Sequence, residues 1–138
     1  MDAINKVNLR LKKILEYVDL LKKHQNITVK DLEDDPVQRG FLERYLQLAC
    51  EAVIDIANLI NAEYRFRSAE DARESILILG EEGVLEKKFA QEFAPVAGFR
   101  NILVHDYVKI DYKQVIDKLH HRLGDFERFS QQVAKYLK

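Results

Sequence analysis

The sequence is poor in the residues that build disulfide frameworks, zinc sites and turns. Its 138 residues include one cysteine, two prolines, five glycines and no tryptophan. A single cysteine excludes a disulfide within the chain and a zinc site made of cysteine pairs. Cys50 lies in an apolar run, which favours a small buried side chain over a reactive thiol. With so few prolines and glycines, little in the chain interrupts regular secondary structure.

Net charge and long apolar runs are scarce as well. The 22 Lys and Arg residues are balanced by 23 Asp and Glu residues. This balance excludes the broad positive field of a non-specific nucleic-acid binder but permits a local basic site. Polar residues interrupt residues 1–11, so no signal-peptide core is expected there, and no apolar run reaches membrane-spanning length. We therefore expect a cytoplasmic protein that does not associate with membranes.

Helical periodicity is the main pattern that the chain does contain. Its length suits one domain, which we assign to residues 1–138. Apolar residues recur at steps of three and four over residues 4–21 and 115–137, and in two parallel stripes over 37–64. The two stripes predict a central helix packed on two sides. With no alternating strand pattern, the fold class expected is all-α, an up-and-down bundle of four to five helices with short extra pieces.

Capping residues predict where several helices begin. Asp35 before Pro36 is typical of an N-cap followed by proline at the first helical position. A capping-box spacing that starts at Ser68 predicts a third helix over 68–79. Pro95 predicts the start of the helix that carries Arg100, and Asp111 predicts the cap of a final helix that runs to the C-terminus.

The most informative segment is residues 99–107, with the sequence FRNILVHDY. At about 100° per residue, Arg100, Asn101 and His105 share an arc of roughly 140° with Val104. The apolar residues Phe99, Ile102 and Leu103 point the other way. One face of this helix can therefore pack while the other carries out chemistry.

Spacing within the polar face suggests how its members cooperate. Asn101 precedes His105 by four residues, so its amide is placed to hold the imidazole in one orientation. Arg100 and His105 lie at opposite edges of the arc, poorly placed to bind one small group from a single straight helix. Either the helix ends near His105, or two copies of the motif meet across an interface. Gly98, costly inside a helix, would then be the point of close backbone approach.

Arginine and histidine together suit the cleavage of RNA by its own 2′-hydroxyl. An imidazole exchanges protons near neutral pH, and a guanidinium binds a phosphate and offsets charge that develops on it. By spacing alone, such a pair is more often ordinary surface and helix-end structure. The spacing of Arg100 and His105 alone therefore does not identify a site of RNA cleavage, and the surrounding sequence is needed.

Arg100 and His105 match the arginine, four residues, histidine motif of the HEPN superfamily, and Tyr107 extends the match to the HepT-like ribonuclease toxins. Further segments resemble the same family in order along the chain: DPVQR at 35–39, LQLA at 46–49, IDIAN at 54–58 and LGEEG at 79–83. The resemblance implies a metal-independent ribonuclease without cofactor, part of a type II-like or modification-based toxin-antitoxin system. It implies a homodimer with an RNA substrate such as tRNA or mRNA.

The same resemblance assigns roles to individual residues. Arg100 would bind and polarise the scissile phosphate, His105 would act as general acid or base, and Asn101 would orient them. The partner implied is a minimal nucleotidyltransferase antitoxin that transfers AMP to Tyr107. The alternative function is a non-catalytic helical partner of such a nucleotidyltransferase that binds nucleotide or nucleic acid, and a third is a dimeric helical scaffold.

Other polar residues are open to two interpretations. A stripe on the second helix formed by Gln47, Glu51, Asp55 and Asn58 is either a solvated face or the lining of a cleft, and we select Asp55 and Asn58 as candidate lining residues. The remaining histidines, His24, His120 and His121, lack the neighbours of a metal site and are interpreted as ordinary structural or surface residues. No metal is expected.

Overall fold

The computed structural model describes residues 2–104 and 110–138, and in these residues it contains helices and no strands. The all-α prediction is confirmed. The helices in chain order are α1 (Ala3–Lys22), α2 (Val29–Asp34), α3 (Pro36–Glu63), α4 (Ala72–Glu81), α5 (Lys87–Phe93), α6 (Val96–Val104), α7 (Tyr112–His121) and α8 (Leu123–Leu137).

The long helix α3 begins where the sequence predicts. The carboxylate of Asp35 accepts hydrogen bonds from the backbone N–H groups of Val37 and Gln38, and Pro36 occupies the first turn. These bonds satisfy N–H groups that have no partner within the helix, and proline costs nothing at a position whose N–H is unpaired.

Helix α3 lies at the centre of the fold. It packs against α1, α4 and α6, and α1 packs in turn against α8. Of its two apolar stripes, one is fully buried and the other is partly exposed at Phe41, Tyr45, Leu48 and Leu59. The α3 residues with no exposed surface are Leu42, Leu46, Ala49, Cys50, Val53, Ile56, Ala57 and Ile60. They belong to one continuous core cluster that extends from Val7 in α1 to Val133 in α8. The predicted central helix is confirmed.

Two helix starts differ from the prediction. Helix α2 lies in the polar stretch after α1, where Thr28 and Asp31 form a reciprocal capping box and Leu32 is buried. The third predicted helix begins at Ala72, because the carboxylate of Asp71 accepts from the N–H of Glu74 at 2.8 Å and so caps the helix. Ser68 lies outside it.

The predicted final helix is divided into α7 and α8 at Arg122. The side-chain amide of Gln25 donates to the carbonyl oxygen of Leu119 at 3.0 Å. In a continuous helix, that oxygen would accept from the N–H four residues later. A side chain from the α1–α2 connection therefore takes part in ending α7, which no local pattern near Leu119 indicates.

Two glycines lie in contrasting surroundings. A methyl group at Gly80 in α4 would come within 2.6 Å of the Cβ of Ala90, so the close contact of α4 with α5 requires glycine. Gly98 in α6 is exposed, and a methyl group there would meet nothing within 4 Å among the described residues. The close backbone approach predicted at Gly98 does not occur within the described part of this chain.

None of the described helices is both long enough and apolar enough to cross a membrane.

Candidate active site

Helix α6 presents one packed face and one polar face. Phe99 and Leu103 are buried in the core, whereas Asn101 is exposed. The side chain of Arg100 retains 36% of its exposure. The division into two faces that the sequence predicts is therefore confirmed for the part of the motif that the structure describes.

The Arg100 guanidinium makes one hydrogen bond and one longer ionic contact. Its Nη1 donates to Asn101 Oδ1 at 2.9 Å. Its Nε lies 4.0 Å from Glu51 Oε1 on α3. Nε is buried and has no hydrogen-bond acceptor among the described residues, so the Glu51 carboxylate acts on it as a nearby charge and not as a hydrogen-bonded partner. The remaining N–H groups suit a bidentate contact with a phosphate.

Asn101 makes a contact that its spacing from His105 did not suggest. Its side-chain oxygen binds Arg100, the adjacent residue, and so helps to orient the guanidinium. His105 and Tyr107 lie outside the described residues. The hydrogen bond from Asn101 to His105, and the roles assigned to His105 and Tyr107, stay predictions.

Glu51 is the neighbour of Arg100 that sequence reasoning did not select. Its Oε1 also accepts a hydrogen bond from Gln47 Nε2 on the same helix at 3.0 Å, so a contact within α3 and a contact with α6 converge on one oxygen atom. A signal was present, since Gln47 and Glu51 are the first two members of the polar stripe on α3. Nothing in the sequence says which member faces α6.

The two candidate lining residues of that stripe contact other helices. Asp55 Oδ2 lies 3.7 Å from Arg10 Nε on α1. Asn58 Oδ1 accepts a hydrogen bond from the Ser75 hydroxyl on α4 at 2.7 Å. Together with Arg10, both line a shallow depression between α1 and α3. The stripe thus serves three neighbouring helices, and the cleft role of Asp55 and Asn58 stays a prediction.

Cys50, the residue before Glu51, is fully buried and has an unreactive thiol. Burial raises the pKa of its thiol to about 12, and the nearby cations Lys118 and Arg100 lower the pKa by less than burial raises it. Such a thiol stays protonated at neutral pH and is no nucleophile, as predicted. Lys118 also lies over the ring of Phe99, 5.7 Å from its centroid, and so adds positive charge beside α6.

The other histidines have ordinary structural surroundings. The ring of His24 packs on Phe41 with centroids 4.9 Å apart. His120 and His121 are exposed, and His121 Nε2 lies 4.0 Å from Asp117 one turn earlier. Within residues 2–104 and 110–138, no three His, Cys, Asp or Glu side chains come together as a metal site requires.

Comparison with known sequences identifies relatives along almost the whole chain. The profile of the family described as "Ribonuclease HepT-like" matches residues 14–133. The tRNA nuclease HepT of Aphanizomenon flos-aquae is 34% identical over 131 residues, which cover 95% of this chain and 89% of that protein. The mRNA nuclease HepT of Shewanella oneidensis is 36% identical over 84 residues, 61% of this chain and 63% of that protein.

Comparison with solved structures finds the same fold. The tri-AMPylated HEPN toxin of Shewanella oneidensis, solved in complex with its MNT antitoxin, superposes with a TM-score of 0.83. The two proteins are 25% identical, and the match covers 94% of this chain and 97% of that one. The fold therefore agrees with the family that the sequence comparison identifies.

Proposed function

This chain belongs to the HepT-like ribonuclease family, and we propose that it is a metal-independent endoribonuclease toxin whose catalytic groups are Arg100 and His105. The family match and the nuclease names of its relatives support RNA as the substrate class. The observation that carries the site assignment is the half-exposed guanidinium of Arg100, oriented by Asn101 and Glu51 at the start of the motif. An arginine held in this way is prepared for a phosphate.

The reaction that fits these groups is attack by the ribose 2′-hydroxyl on the adjacent phosphorus. The bond from phosphorus to the 5′-oxygen breaks, which leaves a 2′,3′-cyclic phosphate and a 5′-hydroxyl. In the proposal, His105 takes the proton from the 2′-hydroxyl or gives one to the departing 5′-oxygen. Arg100 offsets the negative charge that develops on the phosphoryl oxygens.

We further propose that the site is completed in a homodimer. Arg100 and His105 lie at opposite edges of the polar arc of their helix, so two motifs that face each other would bring the arginine of one copy to the histidine of the other. Gly98 lies two residues before Arg100. Its open surface supports this arrangement because it leaves room for a second backbone.

The partner in this proposal is a nucleotidyltransferase antitoxin that silences the toxin by adding AMP to Tyr107. The AMPylated state and the MNT complex of the Shewanella oneidensis toxin support it. The tyrosine oxygen would attack the α-phosphorus of ATP, lose its proton and release pyrophosphate. The product would place a bulky, negatively charged group two residues from His105, where it would repel the RNA phosphate.

Two smaller assignments complete the proposal. Residues 1–138 form one HEPN domain, supported by the single core cluster shared by α1 to α8. Asp55 and Asn58 lie at the rim of the RNA-binding cleft, supported by their position one and two turns beyond Glu51 on α3.

Cleavage of unfractionated tRNA and of an mRNA transcript in the presence of EDTA tests the catalytic assignment. The wild-type chain should cut, and His105→Ala should lose cleavage while its far-ultraviolet circular dichroism and unfolding midpoint stay unchanged. His120→Ala is the matched control, since it removes an exposed imidazole elsewhere. Retained cleavage by His105→Ala would refute the assignment. No cleavage by the wild type, with tight binding to the nucleotidyltransferase, would favour a non-catalytic partner.

Mass spectrometry tests the modification. After incubation with the nucleotidyltransferase, ATP and magnesium, we expect the mass of AMP on the peptide that contains Tyr107. Tyr107→Phe should abolish the main adduct, and Tyr64→Phe, a control at an exposed ring, should not. An adduct that persists in Tyr107→Phe would move the modified residue elsewhere.

A further inference from the structure

We propose that Glu51 is a positioning residue for Arg100 and that Gln47 in turn positions Glu51. This inference rests on the proposed role of Arg100 as the phosphate-binding group. In this relay the carboxylate does not touch RNA. It sets the plane of the guanidinium, so that the phosphate meets N–H groups that already point toward it.

The geometry supplies the first argument. Glu51 lies on α3 and Arg100 on α6, two helices in direct contact. The carboxylate faces Nε, the nitrogen nearest the helix, and Asn101 occupies Nη1. A planar guanidinium that is hydrogen-bonded at one Nη and attracted to a carboxylate at Nε is restricted in its orientation. Its other Nη is left to face the substrate.

Burial supplies the second argument. Nε is buried and has no hydrogen-bond acceptor among the described residues, and a buried N–H of this kind is costly to leave unpaired. Glu51 Oε1, at 4.0 Å, is the charged acceptor placed to bind it. Hydrogen bonds of catalytic groups are often long without substrate and shorten in the substrate complex. We therefore expect the contact of Nε with Oε1 to shorten when RNA binds.

The hydrogen bond from Gln47 supplies the third argument. Its amide donates to the same Oε1 that faces Arg100, one turn earlier on α3. This bond restricts the rotamers of the Glu51 side chain, which keeps 33% of its exposure and would otherwise move freely. Side chains locked by such supporting hydrogen bonds hold reactive groups in place.

A stabilising salt bridge is a weaker explanation of the same contact. Ion pairs between partly exposed side chains contribute little to stability because water screens them. A carboxylate next to a phosphate-binding arginine also repels the phosphate, which weakens substrate binding. A positioning role therefore predicts a lower kcat when Glu51 is replaced, whereas a salt bridge that only stabilises the fold predicts an unchanged kcat.

The kinetic test compares Glu51→Gln with wild type on a 5′-labelled RNA transcript that the wild-type chain cleaves. Loss of orientation should lower kcat about 10-fold, since small misplacements of reacting groups have effects of this size or larger. KM should stay the same or fall, because a negative charge beside the phosphate is gone. Gln47→Leu should lower kcat less than Glu51→Gln does. Glu63→Gln, the same chemical change at an exposed position of α3, is the matched control.

A second readout observes the contact without activity. The Nε–H signal of Arg100 in a nitrogen–proton NMR spectrum, assigned by its absence in Arg100→Lys, reports exchange of that proton with water. Its exchange should be several-fold faster in Glu51→Gln and unchanged in Glu63→Gln. If Glu51→Gln folds poorly, Glu51→Asp replaces it, since the shorter carboxylate keeps the charge but loses reach and should also lower kcat.

The outcomes separate this inference from the proposed function. If Arg100→Ala is inactive and Glu51→Gln keeps the wild-type kcat, or if KM rises while kcat is unchanged, the positioning role is wrong. An equal loss of kcat in Glu63→Gln would also overturn it. If Arg100→Ala cleaves normally, the proposed site is wrong, and the exchange of the Nε–H then decides separately whether Glu51 holds Arg100.

Discussion

Polar side chains are hydrogen-bonded differently on the two sides of α3. Toward α4, the Ser75 hydroxyl donates to Asn58 and accepts from Asn61, with donor–acceptor distances of 2.7 and 2.8 Å. Toward α6, the Arg100 Nε is buried without a hydrogen bond among the described residues, and its carboxylate neighbour stands at 4.0 Å. On the α4 side the neutral side chains are joined by short hydrogen bonds, and only Asn61 Oδ1 among them is buried without a partner in the described residues. On the α6 side the partner is a charged guanidinium whose side chain is 36% exposed, so its exposed N–H groups are available to a ligand.

The glycines repeat this contrast. Gly80 on α4 is enclosed by α5, whereas Gly98 on α6 faces open space. On the α4 side, therefore, small changes should affect stability. On the α6 side they should affect activity or association.

Arg100→Ala should abolish most of the activity and leave the fold intact. Cleavage of RNA should fall at least about 100-fold, as when a charge-stabilising donor is removed from an active site. The free energy of unfolding should change by no more than about 0.5 kcal/mol, because the side chain is partly exposed. Initial rates and urea denaturation measure the two quantities. A large loss of stability would show that Arg100 stabilises the fold, as the residues between α3 and α4 do.

Gly80→Ala should have the opposite effect. The added methyl group would lie 2.6 Å from Ala90 Cβ and 3.4 Å from Lys87 Cα, so α4 and α5 must separate. Overpacking of this kind costs about 1–3 kcal/mol of unfolding free energy. Urea denaturation measures the loss, and cleavage per folded molecule should stay at the wild-type level. Unchanged stability would contradict the close packing of these two helices.

Ser75→Ala should destabilise the α3–α4 contact. The hydroxyl is buried, and its removal leaves the Asn58 oxygen without its donor. Because Asn58 is exposed, water can replace the lost donor, and the loss of this hydrogen bond should cost about 0.5–1.5 kcal/mol. Thermal unfolding followed by circular dichroism measures the change. Cleavage that falls further than the folded fraction would indicate that Asn58 acts in the cleft as well as in this contact.

Gly98→Ala should have the smallest effect on the isolated chain. An exposed glycine in a helix is about 1 kcal/mol less favourable than alanine, so unfolding at low protein concentration should require slightly more denaturant. If two copies meet closely at this face, the same methyl group should weaken dimerisation, which sedimentation velocity measures. A dimer of unchanged strength would remove Gly98 from the proposed interface.

Local signals in the sequence predicted some elements well and others poorly. Asp35 and Pro36 mark the start of α3 because an N-cap acts only on the residues that follow it. The spacing at Ser68 predicted the wrong start, because Asp71 caps α4. Helix α2, which Thr28 caps, was not predicted. Local spacing alone does not show which capping residues are used. At α2, the burial of Leu32 in the core favours a helix that begins after Thr28.

The candidate site was predictable in part for the same reason. The arc that contains Arg100 and Asn101 follows from helix geometry, and the structure confirms its polar face. The contact of Arg100 with Glu51 joins residues 49 positions apart on different helices. No periodicity within α3 shows which of its polar residues faces α6 and which faces α1.

By itself, the sequence determined that the chain is helical, that it belongs to the HepT-like ribonuclease family and that Arg100 lies on a polar face, because periodicity, motif order and helix geometry are properties of neighbouring residues. The folded chain alone reveals that Glu51 faces Arg100, that Asp55 faces Arg10 and that Gln25 helps to end α7. These contacts depend on how helices pack against one another across the core, and packing is a property of the whole chain.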